Sequence, residues 1–336
     1  MQNQNGITFA GNILVDVVKT ITGYPEPGML ANITAVSQAV GGCVPNTAID
    51  VAKMDQNVPI RALGRVGDDA YGRYVTGQMQ KYGIDTAGVI VTEDVPTSFS
   101  DVMSDVSSGE RTFFHARGAN ALFSPDDVDV DALDCRIFHI GYILLLDLMD
   151  EADPEYGTVL ARLLAEIQKK GIKTSVDVVS DATGRFREKI VPALRYCDYA
   201  IMNEIEGCGV SGLDPRHPDG TIHAENIRAT MEQMMKLGVR DRVILHSPEA
   251  GFMLTADGTF RQAPSIAIDP ARIAGKVGAG DAFCAGCLYG LCTGMADEKL
   301  LSYAAAAAVC NLTAADSVSG MRPAAEVAAI AERESI

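Results

Sequence analysis

Apolar and polar residues alternate with two different periods through the C-terminal two thirds of the chain. Apolar runs of strand length are separated by longer stretches in which apolar residues recur with helical spacing. Strands and helices that take turns in this way are typical of a parallel sheet with helices on both faces. The pattern therefore predicts an α/β fold with a mostly parallel central sheet. Predicted strands cover residues 135–140, 173–179, 199–202, 243–246 and 252–255, and predicted helices cover 157–170, 186–194, 224–237, 281–293 and 297–315.

The N-terminal third interrupts this pattern twice. Residues 13–40 and 88–114 lack helical periodicity and contain short β-like runs, and residues 107–110 are typical of a hairpin turn. Because these two segments do not fit the alternation, they predict additional β structure outside the central sheet. No linker, repeat or second region of equal size divides the chain, so we expect a single domain over residues 1–336. The other elements of this third are predicted at 7–10, 46–54, 59–63 and 71–82.

Composition and charge narrow the classes of function. The chain has 336 residues, 47% of them hydrophobic, and a formal net charge of −16. Nucleic acids and anionic membranes bind basic surfaces, so we expect neither as a partner. The longest apolar run, at about 140–149, is too short to span a bilayer and contains Asp147. The first residues lack the basic and apolar regions of a signal peptide.

Cysteine spacing gives no metal or redox motif. Cys284 and Cys287 are spaced as C-x-x-C, but no second Cys or His pair has metal-ligand spacing. We therefore interpret these two residues as core positions on one helix face. The eight cysteines lie in apolar segments, which indicates reduced thiols and a cytoplasmic protein.

A glycine-rich turn precedes the apolar helix at 281–293. It reads Gly-Ala-Gly-Asp at residues 278–281. A helix N-terminus offers free N–H groups and a positive dipole end to an anion, and glycines let the backbone approach that anion closely. Asp281 would then be a carboxylate beside a phosphate cradle. Such a group could take the proton from a substrate hydroxyl as its oxygen attacks phosphorus.

Three further motifs accompany this turn. They are Gly-Gly-x-x-x-Asn-x-Ala at residues 41–48, Gly-x-Val-Gly-x-Asp-x-x-Gly at 64–72 and Asn-x-x-Glu at 203–206. The four motifs follow one another in the same order as in the ribokinase, or PfkB, family of carbohydrate kinases. The chain therefore resembles that family over most of its length.

The resemblance implies a fold and an activity. The fold would be ribokinase-like, with three αβα layers, and residues 13–40 and 88–114 would form a small β-sheet lid over the sugar. The reaction would be the phosphorylation of a hydroxymethyl group of a small ribose- or fructose-like sugar, with ATP and Mg²⁺. Two lids are expected to pair in a homodimer, because exposed edge strands invite pairing.

The catalytic roles implied by the resemblance fall on residues 278–281. Asp281 would be the general base. The backbone amides of Gly278, Ala279 and Gly280 would form the anion hole for the transferred phosphoryl group.

Sugar binding is implied near the lid. Asp16 and Asn12 belong to one first-strand motif and would hydrogen bond to sugar hydroxyls. The two glycines of the second motif would let the backbone touch the sugar, and Asn46 would bind a hydroxyl from the start of its helix. The stretch 111–120 would reach from the lid back to the sugar. The implied substrate-binding residues are Asn12, Asp16, Gly41, Gly42, Asn46, Arg111 and Asn120, with Arg117 as a further candidate.

Nucleotide and metal binding are implied farther along the chain. Asn203 and Glu206 would hold Mg²⁺ through water, because this ion keeps much of its hydration shell. Asp177 matches the family's strand-end aspartate. The implied ATP-binding residues are Asn203, His246, Gly251 and Asn311.

Two stretches depart from the family's pattern. Residues 246–248 read His-Ser-Pro instead of a common Thr-x-Gly, and residues 275–277 read Gly-Lys-Val instead of Asp-Thr-Thr. In many relatives the Asp and Thr help to hold an activating K⁺. Glycine and valine supply no side-chain oxygen, and the ammonium of Lys276 would repel a cation. We therefore expect little activation by K⁺.

The sequence leaves other functions to be tested. A nucleoside (adenosine-like) kinase would share these motifs, and the choice depends on the lid and residues 97–120. A sugar-sensing regulatory protein on a kinase scaffold would be expected to lack the base, whereas Asp281 is present. A dinucleotide-dependent oxidoreductase would need Gly-x-Gly-x-x-Gly after the first strand, and none occurs there.

Overall fold

Strands and helices alternate along most of the chain. A computed structural model describes residues 6–107, 111–179 and 185–333. Its strands are β1 (Ile7–Gly11), β2 (Leu14–Ile21), β3 (Ile33–Gly41), β4 (Ile60–Gly67), β5 (Asp85–Thr92), β6 (Ser98–Asp105), β7 (Arg111–Ala116), β8 (Ile137–Ile143), β9 (Ala152–Asp153), β10 (Gly157–Thr158), β11 (Lys173–Val178), β12 (Tyr199–Asn203), β13 (Arg242–His246), β14 (Ala250–Thr255) and β15 (Phe260–Pro264). Its α-helices are α1 (Cys43–Met54), α2 (Ala70–Lys81), α3 (Val159–Lys169), α4 (Phe186–Leu194), α5 (Glu204–Ser211), α6 (Ala224–Leu237), α7 (Ala279–Thr293), α8 (Asp297–Leu312) and α9 (Ala324–Ala331).

The central sheet has nine strands in the order β15-β14-β13-β12-β11-β8-β1-β4-β5. The strands from β13 to β5 are parallel, and β14 and β15 extend one edge in antiparallel fashion. Parallel strands bring their carboxyl ends to the same edge of a sheet. The residues that follow β1, β8, β11 and β12 therefore meet at that edge.

Helices cover both faces of this sheet. In α3 the residues Leu160, Leu163, Leu164 and Ile167 are buried at helical spacing, so one side of the helix packs inward. One apolar core contains residues of α1, α2, α7, α8 and α9, and a second contains residues of α3 to α6. This arrangement confirms the predicted three-layer α/β fold. Within the described residues, every helix is too short or too polar to cross a membrane.

Two neighbouring helices, α7 and α8, pack unusually closely. A Cβ atom at Gly286 of α7 would lie 2.8 Å from the Cα atom of Ala304 and 3.1 Å from the Cβ atom of Ala307, both in α8. The glycine and the alanine run therefore let the two helices approach. This contact fixes α7, whose first turn carries Asp281.

The end of β1 depends on glycine. Gly11 lies opposite Gly64 of β4 and Gly141 of β8. A Cβ atom at Gly11 would lie 2.1 Å from the carbonyl oxygen of Gly141, and the φ angle of Gly11 is +115°. A larger residue would be strained here. The chain thus leaves the sheet at Asn12, at the edge where the strands end.

A separate four-stranded sheet, the lid, has the order β3-β2-β6-β7. Its inner strands β2 and β6 are parallel, and the edge strands β3 and β7 pair with them in antiparallel fashion. The lid strands lie within residues 14–41 and 98–116. Most of the turn predicted at 107–110 lies outside the described residues.

One boundary of the predicted lid is wrong. Residues 88–92 belong to β5 and pair with β4 at the edge of the central sheet. The preceding helix α2 returns the chain to this sheet, so that β5 completes a β4-α2-β5 crossover. The lid resumes only at β6.

Candidate active site

A pocket of about 760 Å³ lies where the parallel strands end and α7 begins. Its size suits a small-molecule ligand. The continuous segment from Ile273 to Asp281 forms part of its lining. Polar side chains outside this segment also line it, namely Arg111, Tyr142, Asp177, Asn203, Glu206 and His246.

The first turn of α7 presents free backbone donors to this pocket. The helical hydrogen bonds begin with the N–H of Ala282, which donates to the carbonyl of Gly278 at 2.8 Å. The three preceding amides, at residues 279–281, therefore have no partner within the helix. Gly278 has a φ angle of +80°, and a Cβ atom there would lie 2.7 Å from the Cβ atom of Ser317. This glycine lets the backbone turn into an anion-binding helix start.

Asp281 lies in this first turn and is only 9% exposed. Its Oδ2 accepts a hydrogen bond from Asn46 Nδ2 at 2.9 Å, and its Oδ1 accepts one from the Tyr142 hydroxyl. Burial raises the pKa of Asp281, and these two hydrogen bonds oppose the rise by stabilising the charged form. The result is an oriented carboxylate, more basic than an exposed aspartate, beside the free amides of α7.

Tyr142 is a functional candidate that sequence reasoning missed. It follows the predicted strand 135–140 and lies in β8, which extends to Ile143. Its backbone N–H donates to Asn12 Oδ1, and its hydroxyl donates to Asp281. A signal was present, because residues at the carboxyl ends of strands line the sites of open α/β sheets.

Asp16 is a second buried carboxylate near Asp281. Burial first, and then the negative charge of Asp281, raise the pKa of Asp16 to about 7, while Ser100 and Arg111 act in the opposite direction. Gly41 makes room for this side chain, since a Cβ atom there would lie 2.6 Å from Asp16 Oδ2. At neutral pH Asp16 is therefore partly protonated and can both donate and accept hydrogen bonds.

Two buried amide groups near Asp281 and Asp16 keep unused polar atoms. Asn120 Oδ1 accepts a hydrogen bond from the backbone of Ile13 at 3.1 Å. Asn120 Nδ2 and Asn46 Oδ1 are buried without a hydrogen-bond partner among the described residues. Buried polar atoms normally have partners, so these two atoms remain available to a polar ligand.

Three predicted sugar-binding positions have structural roles. Asn12 is fully buried and positions Tyr142 through its Oδ1. Gly42 has a φ angle of +89°, and a Cβ atom there would lie 2.6 Å from the carbonyl oxygen of Asn12. Arg117 donates to the Leu144 carbonyl at 2.7 Å and pairs with Asp147 at 3.0 Å. These contacts connect the C-terminal end of β7 to the loop after β8.

Two acidic residues and an asparagine also line the pocket, namely Asp177, Glu206 and Asn203. Asn203 and Glu206 cap α5 reciprocally, with Glu206 N–H donating to Asn203 Oδ1 at 2.8 Å and Asn203 N–H donating to Glu206 Oε2 at 3.0 Å. Burial, and next the charge of Glu206, raise the pKa of Asp177. Closely placed carboxylate and amide oxygens are the donors that Mg²⁺ prefers. The residues present therefore fit a magnesium ion.

The predicted ATP-binding residues do not all reach the pocket. His246 lines it and packs on Phe283 with ring centroids 4.7 Å apart, and burial lowers its pKa to about 4, so the ring is neutral. Gly251 instead packs behind Phe283, because a Cβ atom there would lie 3.2 Å from that ring. Asn311 is fully buried and donates to the carbonyl of Ser317 at 2.5 Å. The structure gives these last two positions a packing role away from the pocket wall.

Gly275 lies in the segment before the anion hole, at a position where a side chain would clash. A Cβ atom at Gly275 would lie 2.7 Å from the carbonyl oxygen of Ala314 and 3.0 Å from that of Ala315. The backbone here leaves no space for a side chain. Lys276 is exposed and lines the pocket.

Comparison with known proteins identifies a family for the chain. Residues 5–324 match the model of the pfkB family carbohydrate kinases. The chain is 24% identical to deoxyribokinase of Salmonella typhi over 82% of each chain, and 26% identical to fructokinase-1 of Zea mays over 62% of this chain and 63% of the relative. The solved structure of Arabidopsis thaliana ribokinase complexed with ribose and ATP has a TM-score of 0.79 at 21% identity, covering 98% of this chain and 99% of that one. The four sequence motifs, the fold and a family match over nearly the whole chain lead to one conclusion, that this protein belongs to the pfkB family of carbohydrate kinases.

Proposed function

We propose that this kinase transfers the γ-phosphoryl group of ATP to a hydroxymethyl group of a small ribose- or fructose-like sugar. The observation that carries the proposal is the position of Asp281, held by Asn46 and Tyr142 beside the free amides of α7. In this arrangement Asp281 accepts the proton of the attacking hydroxyl. The amides of residues 279–281, on the turn made by Gly278, receive the negative charge of the transferred group.

The nucleotide side of the pocket suits a magnesium-bound triphosphate. We assign Mg²⁺ to the side chains of Asn203 and Glu206, acting through water, with Asp177 nearby. The ion would neutralise charge on the phosphates and help to orient them. Arg111 and Lys276 place two positive charges on the lining of the same pocket, which also carries the carboxyl groups of Asp177, Glu206 and Asp281. His246 offers a neutral ring on the nucleotide side.

The sugar side is polar and buried. Asp16 can accept and donate hydrogen bonds, and Asn46 and Asn120 retain unused polar atoms. Closely spaced hydroxyl groups are the chemistry that such a set binds. Arg111 reaches the pocket from the lid strand β7 and would contribute to the choice of substrate.

An ADP-release screen over ribose, deoxyribose, fructose and nucleosides tests this assignment. We expect ADP release that depends on one small sugar and on Mg²⁺. Faster turnover of adenosine-like nucleosides would replace the proposal by the nucleoside-kinase alternative. Tight sugar binding without ADP release from any acceptor would favour a regulatory protein instead.

We further propose a homodimer formed through the lid. The lid exposes Ile33 and Val36 of β3 and Phe114 of β7. Both strands lie at edges of the small sheet. Exposed apolar side chains on unpaired edge strands favour association with a second copy.

The proposed location is the cytoplasm. All eight cysteines are free and buried, which suits a reducing compartment. The expected partners are the small-molecule substrates and a second copy of the chain, and we expect no nucleic acid or membrane as a partner.

A further inference from the structure

Four side chains that could bind a soft metal ion meet beneath the active site. Cys43 lies at the start of α1, His139 in β8, Asp177 in β11 and Cys284 in α7. Cys43 and His139 are fully buried, Cys284 is 1% exposed and Asp177 is 7% exposed. The four come from separate elements, so their spacing along the chain does not reveal them.

The donor atoms already lie close to a binding geometry. Ligand atoms of Cys43, His139 and Asp177 all lie within 4.8 Å of one another. His139 Nε2 is 3.3 Å from Cys43 Sγ and 3.8 Å from Cys284 Sγ. Tetrahedral zinc, with bonds of about 2.3 Å to sulfur and about 2.0 Å to nitrogen, places its ligands roughly 3.3–3.8 Å apart. Cys284 is the outlying donor, so completing the site draws its sulfur towards the other three ligands.

The imidazole of His139 is held in a suitable state. Its Nδ1 lies 3.0 Å from Ser175 Oγ, which can accept a hydrogen bond from Nδ1–H. Its Nε2, which faces both thiols, then carries the lone pair. Metal-binding histidines are commonly oriented by such a partner on the other ring nitrogen.

We propose that Cys43, His139, Asp177 and Cys284 form a binding site for Zn²⁺ or a similarly soft divalent ion. Two sulfur donors and one imidazole select such an ion over Mg²⁺, which prefers oxygen. The ion enters from the active-site pocket, because Asp177 lies on its wall. On binding, the two thiols lose their protons to solvent and become thiolates.

The site is coupled to the kinase centre by its position. Cys43 lies three residues before Asn46, and Cys284 three residues after Asp281. Drawing both cysteines and Asp177 towards one ion shifts the helix starts that carry Asn46 and Asp281. Bound zinc therefore inhibits phosphoryl transfer; this consequence rests on the proposed function, whereas metal binding does not.

Cobalt titration of the reduced full-length protein tests the binding directly. With a phosphine reductant present, we expect one Co²⁺ per chain, thiolate-to-cobalt charge-transfer absorption and tetrahedral d–d bands, all abolished by added Zn²⁺. Cys43→Ala and Cys284→Ala should each weaken the charge-transfer band. Ser175→Ala should lower the metal affinity by about 10–100-fold.

Cys292→Ala provides the matched control. This buried cysteine lies farther along the same helix, and the variant should bind Co²⁺ as the wild type does. Absence of the charge-transfer band in the wild type would overturn the proposal without any variant. Equal bands in the wild type, Cys43→Ala and Cys284→Ala would also overturn it. Metal binding without loss of kinase activity would overturn only the inhibition.

Discussion

At the scale of single residues, opposing interactions act on the pKa of Asp281. Burial raises its pKa, and hydrogen bonds from Tyr142 and Asn46 lower it. A general base acts only when it is deprotonated, so the rate should fall as the pH drops through the raised pKa. We therefore propose that the neighbours of Asp281 set the acid limit of activity.

Replacing Tyr142 by phenylalanine tests whether this neighbour lowers the pKa of Asp281. The change removes a donor that stabilises the charged carboxylate, so the pKa of Asp281 should rise and the acid limb of the kcat/KM profile should move to higher pH. The profile is measured with the substrate identified by ADP release. Tyr156→Phe, away from the pocket, should leave the limb in place. An unmoved acid limb in Tyr142→Phe would contradict this role.

The raised pKa of Asp16 should affect how the free energy of unfolding depends on pH. Its pKa is raised from 3.8 to about 7, so the folded state holds a proton that the unfolded state releases. This contribution is fully present below the unfolded pKa and is lost as the pH rises towards about 7. Asp16→Asn should therefore reduce the decline in unfolding free energy of the ligand-free protein between about pH 4 and pH 7, by up to a few kcal/mol.

Urea denaturation at several pH values measures this difference. The exposed Asp68, whose carboxylate pairs with Arg73 at the surface, gives the control variant Asp68→Asn, which should follow the wild-type pH dependence. Identical slopes for Asp16→Asn and wild type would show that Asp16 has an ordinary pKa.

At the scale of elements, the periodicity predicted α4 and α6 well and missed α5. The predicted helices at 186–194 and 224–237 coincide with α4 and α6, and Gly238 ends α6 as its cap. The eight-residue helix α5 was not predicted, because its start was interpreted only as the Asn-x-x-Glu motif. That motif is also a capping box, so one set of residues both begins a helix and lines the pocket.

The site was predictable only where local motifs carry it. Asn46 and Asp281 stand in separate glycine-containing motifs, and the structure joins them by a hydrogen bond. Tyr142 lies in no such motif, and its contact with Asp281 spans 139 positions along the chain. His139 lies in no motif either, and Cys43 occupies an unspecified position of the motif at 41–48. Contacts between β8, α1 and α7 arise from sheet order, which a single sequence does not specify locally.

The segment before α7 bears on whether monovalent cations activate the kinase. Gly275 packs against carbonyl oxygens with no space for a side chain, and the ammonium of Lys276 lines the pocket. We therefore expect little stimulation by K⁺ relative to Na⁺ or a bulky organic cation at fixed ionic strength. Many-fold stimulation specific to K⁺ would show that backbone carbonyls or Asp269 build a cation site here.

At the scale of the whole molecule, the exposed apolar residues of the lid lead us to predict a dimer. Val36 of β3 is 64% exposed, and Phe114 of β7 is 57% exposed. Val36→Lys combined with Phe114→Lys should convert a dimer to a monomer in light scattering, because buried, unpaired charges oppose association. Val91→Lys places the same charge on β5, at the far edge of the central sheet, and should remain dimeric. A monomeric wild-type protein would remove the proposal.

The identity of the general base is the central claim, and the turnover of Asp281→Asn tests it most directly. Steady-state kinetics on the identified sugar should show kcat lowered by about 10²–10⁴-fold, the usual cost of losing a general base. Sugar affinity measured by calorimetry should change little, and Asp126→Asn should keep wild-type kinetics. Near-native turnover by a folded Asp281→Asn variant would contradict the account.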